Sequence, residues 1–449
     1  MLTSSSVMEV NQTSLASDNN GGAFDLSNAG STGVDYTYGA AAQVVTVSVS
    51  GNGTATLTIT SGTVTSTVLG NSIKVPGQGT FIITAYTATT LTVNTSNGTP
   101  GTFSSTVSYI GGPLASPGFA AGIMSNYNIM YLSGSFPISV ATPNISNGVI
   151  RLASGAALIG YGTTRGDNLK ATIVNSGLSS IYLMQTPSPN TYSTYQNLTV
   201  NGSSNSGVSG VTWWNSGANT VINCDFINCP GSGILSYNQQ DVIMGCYFSG
   251  NGYGINGGNG KAIICVAVSS TYDGIYTSSA ENCISIKNGG VGFGYSNSSS
   301  QISLFRGCTS AFNTSDGFLG NDGSAGSGAS SVVNSLAWSN GQSIIMRNSS
   351  TYRSAVLSNN AVDTPVNAIG ATQIDTITLT AQPFVNPTAT INSVADAFAA
   401  FALNTAAGGG ALCRGAGTPQ YLDIGAVQSA PSAGGGGGMP PLWRPGFRK

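Results

Sequence analysis

Few residues of this chain could do chemistry. Its 449 residues include 15 Asp and Glu, 13 Lys and Arg, and no histidine. Without histidine there is no Ser-His-Asp or Cys-His catalysis, no histidine–metal site and no ordinary switch near neutral pH. Acid–base work would fall to carboxylates, and only Glu9 and Glu281 are glutamates. In and just after the stretch Thr220 to Ile345 the acids are Asp225, Asp241, Asp273, Glu281, Asp316 and Asp322, with Lys261, Lys287, Arg306 and Arg347 as bases or clamps for an anionic sugar.

Asp273 and Asp316 stand out because each lies eight residues after a cysteine, Cys265 and Cys308. In a stack of strands at roughly 4.8 Å, two steps separate them by about 9.6 Å. That is near the upper edge of the ~6.5–9.5 Å that an inverting glycosidase leaves for its water. Each also precedes a glycine, and Asp-Gly is an ordinary turn signal whose carboxylate bonds local backbone. The two readings compete at the same residues.

Metal and cofactor chemistry find little support. The seven cysteines contain no C-x2-C pair, and only Cys224 and Cys229 are close. The repeats hold no D-x-D or D-x-x-D run of the kind calcium favours. No cofactor and no metal are expected, and the cysteines are expected to pack as free, small hydrophobes.

Aromatic residues suggest a different use. Trp213 and Trp214 precede the first cysteine repeat, and Tyr237, Tyr276 and Tyr295 follow its glycine step by two to four residues. A file of rings on one face could stack on sugars, with amides and hydroxyls reaching the sugar hydroxyls. The alternative is a face buried against a sister subunit or a loop. At the C-terminus, Trp443, Arg444 and Phe447 follow a glycine linker, as a docking peptide for a partner subunit or as a plain tail.

The elements that must position these residues repeat. From Thr220 to Ile345 the chain runs NCDFINCPGSGI, GCYFSGNGYGI, ICVAVSSTYDGI, NCISIKNGGVGF and GCTSAFNTSDGF, then NSLAWSNGQSI with Ser335 in the cysteine slot. The anchors Cys224, Cys246, Cys265, Cys283 and Cys308 are 22, 19, 18 and 25 residues apart. A unit this short cannot bury its own apolar face, so neighbours must stack. Short strands with no helical period make each unit one rung of a parallel β-helix. The cysteines then form one inward ladder, and Asn251, Asn288, Asn313 and Asn340, five residues after their anchors, form another at a bend. The glycine eight or nine residues after each anchor is expected to free the backbone for the next turn.

Elsewhere the pattern differs. Residues 1–34 are polar and glycine-rich and read as an arm or attachment segment. Residues 35–112 alternate Thr, Val and Ile between turn residues, which predicts a small antiparallel β-domain of five or six strands, a sandwich or barrel. Leu114 to Met124 reads as a short helix with Pro117 in its first turn, placed to cap an open β-helix end. The β-helix spans 113–428, and 429–449 are linker and tail.

Composition narrows the setting. Charged residues are 6%, against about 25% in ordinary soluble domains, so Ser, Thr, Asn and backbone must wet the surface. Such a surface suits an extracellular or virion setting. The net charge of −2 and scattered basic residues give no stripe for nucleic acid. No apolar run can span a membrane, and no ordinary secretion signal is visible at the N-terminus.

Two segments carry a resemblance. The run from Pro113 through MYLSGSFPIS to LIGYGTTRGD, and the ending ALNTAAGGGALCRGAGTPQYLDIGAVQ, resemble right-handed parallel β-helix proteins of the pectate-lyase-like class, found among bacterial surface and phage structural proteins, including tail spikes. The resemblance implies an all-β, right-handed parallel β-helix preceded by the small antiparallel domain. It leaves activity open, because the class holds lyases, hydrolases, adhesins and scaffolds. The expected function is a non-enzymatic structural or adhesive rod, a virion spike, decoration or surface-fibre component. Its expected partners are copies of itself, as a homo-oligomer such as a trimer, virion or fibre subunits, and a cell-surface polysaccharide. The alternative is a polysaccharide hydrolase or lyase.

Overall fold

The structure, a computed structural model, describes residues 7–12, 16, 43–51, 55–65, 68–69, 72–94, 99–111, 114–124, 126–143, 149–186, 192–213, 217–236, 240–257, 260–295, 303–320, 330–346, 355–364, 366–368, 371–417 and 421–428. The chain divides into two compact units, residues 1–241 and 242–449.

The first unit holds an antiparallel domain and a stack of parallel turns. The antiparallel domain is a closed barrel of six strands in the order Gln43–Val49, Thr56–Ser61, Thr90–Asn94, Gly79–Tyr86, Ser72–Val75, Phe103–Gly111. Alternation sends Val45, Val47, Leu57, Ile73, Phe81, Ile83, Leu91, Val93 and Ile110 into its core. Closure leaves no unpaired edge on a surface almost without charge.

The parallel turns each give one strand to each of three sheets. In this unit the first sheet contains Ile129–Ser133, Ala157–Tyr161, Thr194–Gln196 and Thr220–Ile222. The second contains Ser135–Ile138, Ala171–Asn175, Leu198–Asn201 and Asp225–Ile227, and the third Ile150–Arg151, Tyr182–Thr186, Ser209–Trp213 and Ser232–Ser236. The helix α1, Pro117–Ile123, packs on the earliest turns. It starts where Ser116 Oγ accepts the Phe119 N–H and Pro117 takes the first position, and it buries Ala120 and Ala121.

One element departs from the sequence reading. Residues 1–34 read as an arm, yet Val7–Asn11 forms a strand that pairs in parallel with Ile129–Ser133 over five residues. Met8, Glu9 and Val10 are fully buried by it.

The second unit repeats the three-sheet turn from Val242–Met244, Tyr247–Ser249 and Tyr253–Asn256 onward to Ala371–Ile374, Ile377–Thr378 and Asn367–Ala368. Two corners set each turn. The residue before the anchor is left-handed at Ile264, Asn282, Asn334 and Asn359 (φ 53°, 53°, 51° and 52°), and the residue four after it at Ser269, Lys287, Phe312 and Ser339 (φ 54°, 56°, 59° and 53°). Asn223 and Asn228 do the same around Cys224 in the first unit. Asparagine and glycine tolerate this region, which explains the Asn or Gly before most anchors, Gly245 and Gly307 included.

Between these corners lie the ladders. The Cys265 N–H points to Cys283 Sγ at 3.3 Å, the Cys308 N–H donates to Ser335 Oγ at 3.1 Å and the Ser335 N–H to Asn360 Oδ1 at 3.0 Å. All seven cysteines are free and buried. At the next corner, Asn288 donates to Asn313 Oδ1 from its backbone N–H (3.0 Å) and its amide (2.8 Å), and Asn313 repeats both bonds to Asn340 Oδ1.

The repeated glycine has a different cause from the one expected. Gly274 and Gly292 have no left-handed φ; a Cβ there would lie 2.0 Å and 2.1 Å from the hydroxyls of Ser285 and Ser310 in the adjoining turn. They are glycines for room, since those serines donate to the Gly292 and Gly317 carbonyls across the core.

The closing segment of this unit lies along its second sheet. That sheet turns Tyr247, Val266, Val268, Ile284, Ile286 and Ala311 outward, and all are buried. Residues 379–428 cover them. Phe384 and Phe401 meet the Phe312 ring at 6.4 Å each, the Tyr247 hydroxyl donates to Ile391 O, and the Gly425 and Ala426 N–H groups donate to Asn334 O and Thr309 Oγ1. The helix α2, Val394–Ala400, and the short α3, Gly410–Cys413, belong to this segment.

Candidate functional site

In the second unit, the passage from the second corner into the third sheet brings together an aromatic step, a glycine gap and two carboxylates. Tyr253 and Tyr272 each lie seven residues after their anchors, Cys246 and Cys265. Stacking of turns therefore stacks their rings, with centroids 5.0 Å apart and planes at 28°. The backbone fixes the order: the Tyr272 N–H donates to Gly252 O, the Gly290 N–H to Tyr272 O, and the Ser315 N–H to Gly290 O. Gly290 occupies the turn beyond Tyr272, so the ring face turned away from Tyr253 meets no side chain from that position. Tyr272 is 53% exposed.

Asp273 forms the side of this notch. Its Oδ1 accepts the Val291 N–H at 2.8 Å, and a Cβ on Gly290 would lie 2.2 Å from the same oxygen. Glycine at 290 therefore admits the carboxylate. Burial, and then the charge of Asp316, push the Asp273 carboxyl above the usual carboxylate range, while the Val291 N–H pulls the other way. Burial and the neighbouring Asp273 and Tyr272 likewise raise the Tyr253 phenol. The notch offers an aromatic floor, an acceptor oxygen and backbone, which suits a sugar ring laid on Tyr272 with its hydroxyls toward Asp273.

Asp273 and Asp316 thus come near enough to feel each other's charge, and Asp273 also performs the turn role by bonding the next turn's backbone. Two of the other acids are tied into ion pairs. Lys170 meets Asp225 at 2.5 Å and Lys261 meets Glu281 at 3.1 Å, with the Tyr421 hydroxyl donating to Glu281 at 3.2 Å. Asp241 is buried and raised above the usual range by that burial, against the pull of Ser236 and Asn219, which donate to it.

The aromatic residues singled out from the sequence fare differently. Trp213 is completely buried, 6.5 Å from the Tyr195 ring, so it is a core residue and not a sugar platform. An all-buried third-sheet strand, Ser209–Trp213, carries it inward. Tyr276 is half-buried against Gly294, where a Cβ would meet its ring at 2.8 Å. Trp214, Tyr237, the side chain of Tyr295, Asp322, Arg347, Trp443, Arg444 and Phe447 lie outside the described residues. Tyr253 and Tyr272 escaped the sequence reading, although their shared offset from the cysteine was a usable signal. Among the described residues no group of three His, Cys, Asp or Glu side chains is placed to hold a metal ion.

No family model matches the chain, and no curated protein matches it. Solved structures do. Pectate lyase Pel9A is similar with a TM-score of 0.54 at 16% identity, over 71% of this chain and 92% of that one. The chain shares the parallel β-helix fold of that pectate lyase. The A-module of the mannuronan C-5 epimerase AlgE4 of Azotobacter vinelandii gives a TM-score of 0.42 at 16% identity, over 58% of this chain and 88% of that one. Geobacillus virus E2 ORF18 gives 0.26 at 12% identity, over 59% and 54%. At these identities the likeness concerns the fold alone.

Proposed function

We propose that this β-helix is a non-enzymatic structural and adhesive protein of an extracellular surface or virion, and that it binds carbohydrate at the Tyr272 notch. The observation that carries the reading is the exposed ring of Tyr272, stacked on Tyr253 on one side and followed by Gly290 in the next turn. A ring held rigid on one side loses little freedom when a ligand covers the other. The ligand class follows from charge. Asp273 and Asp316 would accept hydroxyls of a neutral sugar and repel a uronate.

Affinity electrophoresis through gels containing neutral or uronate polysaccharides tests this. Wild-type protein should be retarded by a neutral glycan and hardly by a uronate polymer. Tyr272→Ala and Gly290→Val should each weaken retention about tenfold, or about 1.4 kcal/mol, and Tyr272→Phe should retain most of it. Unchanged retention in Tyr272→Ala would remove the notch from the function. Electron microscopy of the native source, with mass spectrometry of the same fraction, tests the structural role; a free, monomeric protein would count against it.

A second reading has one observation in its favour. A carboxyl raised by burial beside a second carboxylate is what a general acid requires. If the notch hydrolyses a glycan, Asp273→Asn should abolish depolymerisation while binding persists.

A further inference from the structure

The strand Val7–Asn11 sits in the first unit as a bound peptide would. Every other position in the first sheet belongs to a turn that also supplies a second-sheet strand, but among the described residues the second and third sheets begin at Ser135–Ile138 and Ile150–Arg151, with no partner from the N-terminal segment. The strand is held on one side by Ile129–Ser133, and on the other by Leu114, whose N–H donates to Glu9 O and whose carbonyl accepts from Asn11 N–H. Gln12 extends the grip, with its amide donating to Ser135 O and accepting the Ser135 N–H.

Three side chains make the seat specific. Glu9 is fully buried and accepts from the Tyr161 hydroxyl and from Arg165 at 3.0 Å. The Arg165 guanidinium lies 4.1 Å over the Tyr131 ring, which meets Tyr161 edge-on. A buried acid with a matched arginine selects one strand in one register, since a shift of one residue would bury Met8 or Val10 against the guanidinium.

Nothing in this seat requires the strand to come from its own chain. Residues 13–42, thirty in number and rich in Ser, Asn and Gly, join it to the barrel. Extended, they reach about 100 Å; as a flexible chain they span roughly 30 Å. We propose that the groove over Ile129–Ser133 is a strand-acceptor site, and that in the assembled protein it takes residues 7–12 of a second copy. Copies are thereby joined by β-strand addition, with Glu9 and Arg165 closing each joint. This rests on the reading that copies associate, and is independent of the carbohydrate notch.

The test uses cysteine variants of the full chain, singly and as the Gln12→Cys/Ser135→Cys double variant. Gln12→Cys in one tagged copy and Ser135→Cys in another are co-expressed and oxidised; the native cysteines are buried and do not compete. A disulfide between the two can form only in trans. The expected result is a heterodimer band at least tenfold stronger than either variant gives alone, reduced to background by adding Glu9→Ala to the Gln12→Cys chain. A disulfide formed only within the double variant, as monomer, overturns the proposal, and so does the absence of any disulfide. Sedimentation of the same samples separates the causes: association without a trans disulfide sinks the exchanged strand and leaves self-assembly standing, whereas monomers sink both.

Discussion

Ile264 carries a β-branched side chain at φ 53°, in the corner that asparagine fills at 282, 334 and 359. The left-handed region costs an ordinary side chain about 1–2 kcal/mol. Ile264→Asn should therefore raise the thermal midpoint, with about 1 kcal/mol of stabilisation, and Asn282→Ile should lower it by a similar amount. A second residue-scale expectation concerns Asp273. Its folded carboxyl ionises above the ordinary 3.8. Between those two values the unfolded chain has lost its proton and the native one keeps it, so stability falls as pH rises through that window. Asp273→Asn should remove this part of the decline in thermal midpoints followed from about pH 3 to about pH 7. At this scale the sequence showed the cysteine, asparagine and Asp-Gly positions, because each depends on its own turn. It hid the Tyr253–Tyr272 stack because the shared offset runs from the cysteine and not from the glycine, and it misplaced Trp213 because all five residues of Ser209–Trp213 are buried, which no alternation along the strand records.

Within a turn, the ladders hold the element. Asn313 accepts from Asn288 and donates to Asn340 Oδ1, Ser310 Oγ and Ser285 O. Asn313→Ala would strand buried donors and acceptors on both sides, at about 1–3 kcal/mol for each. The thermal midpoint should drop sharply, and Asn340→Ala, with fewer neighbours beyond it, should cost less. The ladder was legible because a period of about twenty residues with asparagine at one offset has no other economical explanation. The steric role of Gly274 and Gly292 was not, since the clash is with Ser285 and Ser310 of another turn. Phe312 in a left-handed corner was equally hidden: its compensation comes from Phe384 and Phe401, more than seventy residues away.

Across the whole molecule, the apolar outward row of the second sheet depends on residues 379–428. A chain ending at 378 should bind a hydrophobic dye and aggregate, because Val266, Val268, Ile284 and Ile286 would lose their cover. A thiol reagent should find none of the seven cysteines in the native protein and all seven in denaturant, since burial pushes the Cys265 and Cys283 thiols well above their usual range and Cys229 to about 12. The parallel β-helix and the six-stranded domain were legible as periods and alternations. The seat of Val7–Asn11 was not, because it joins segments more than a hundred residues apart and no local pattern records it.

The paired corners have a practical side. In the second unit the left-handed corners around residues 246, 265, 283, 308 and 335 are always five residues apart, whereas the stretch between the third-sheet and first-sheet strands varies from two residues, 277–278, to nine, 321–329. In these turns length is thus absorbed mainly along one margin. Such a stack of turns is a display frame with a writable edge: foreign peptides could be spliced there, one per turn at a pitch of about 4.8 Å, without disturbing the register that the corners keep.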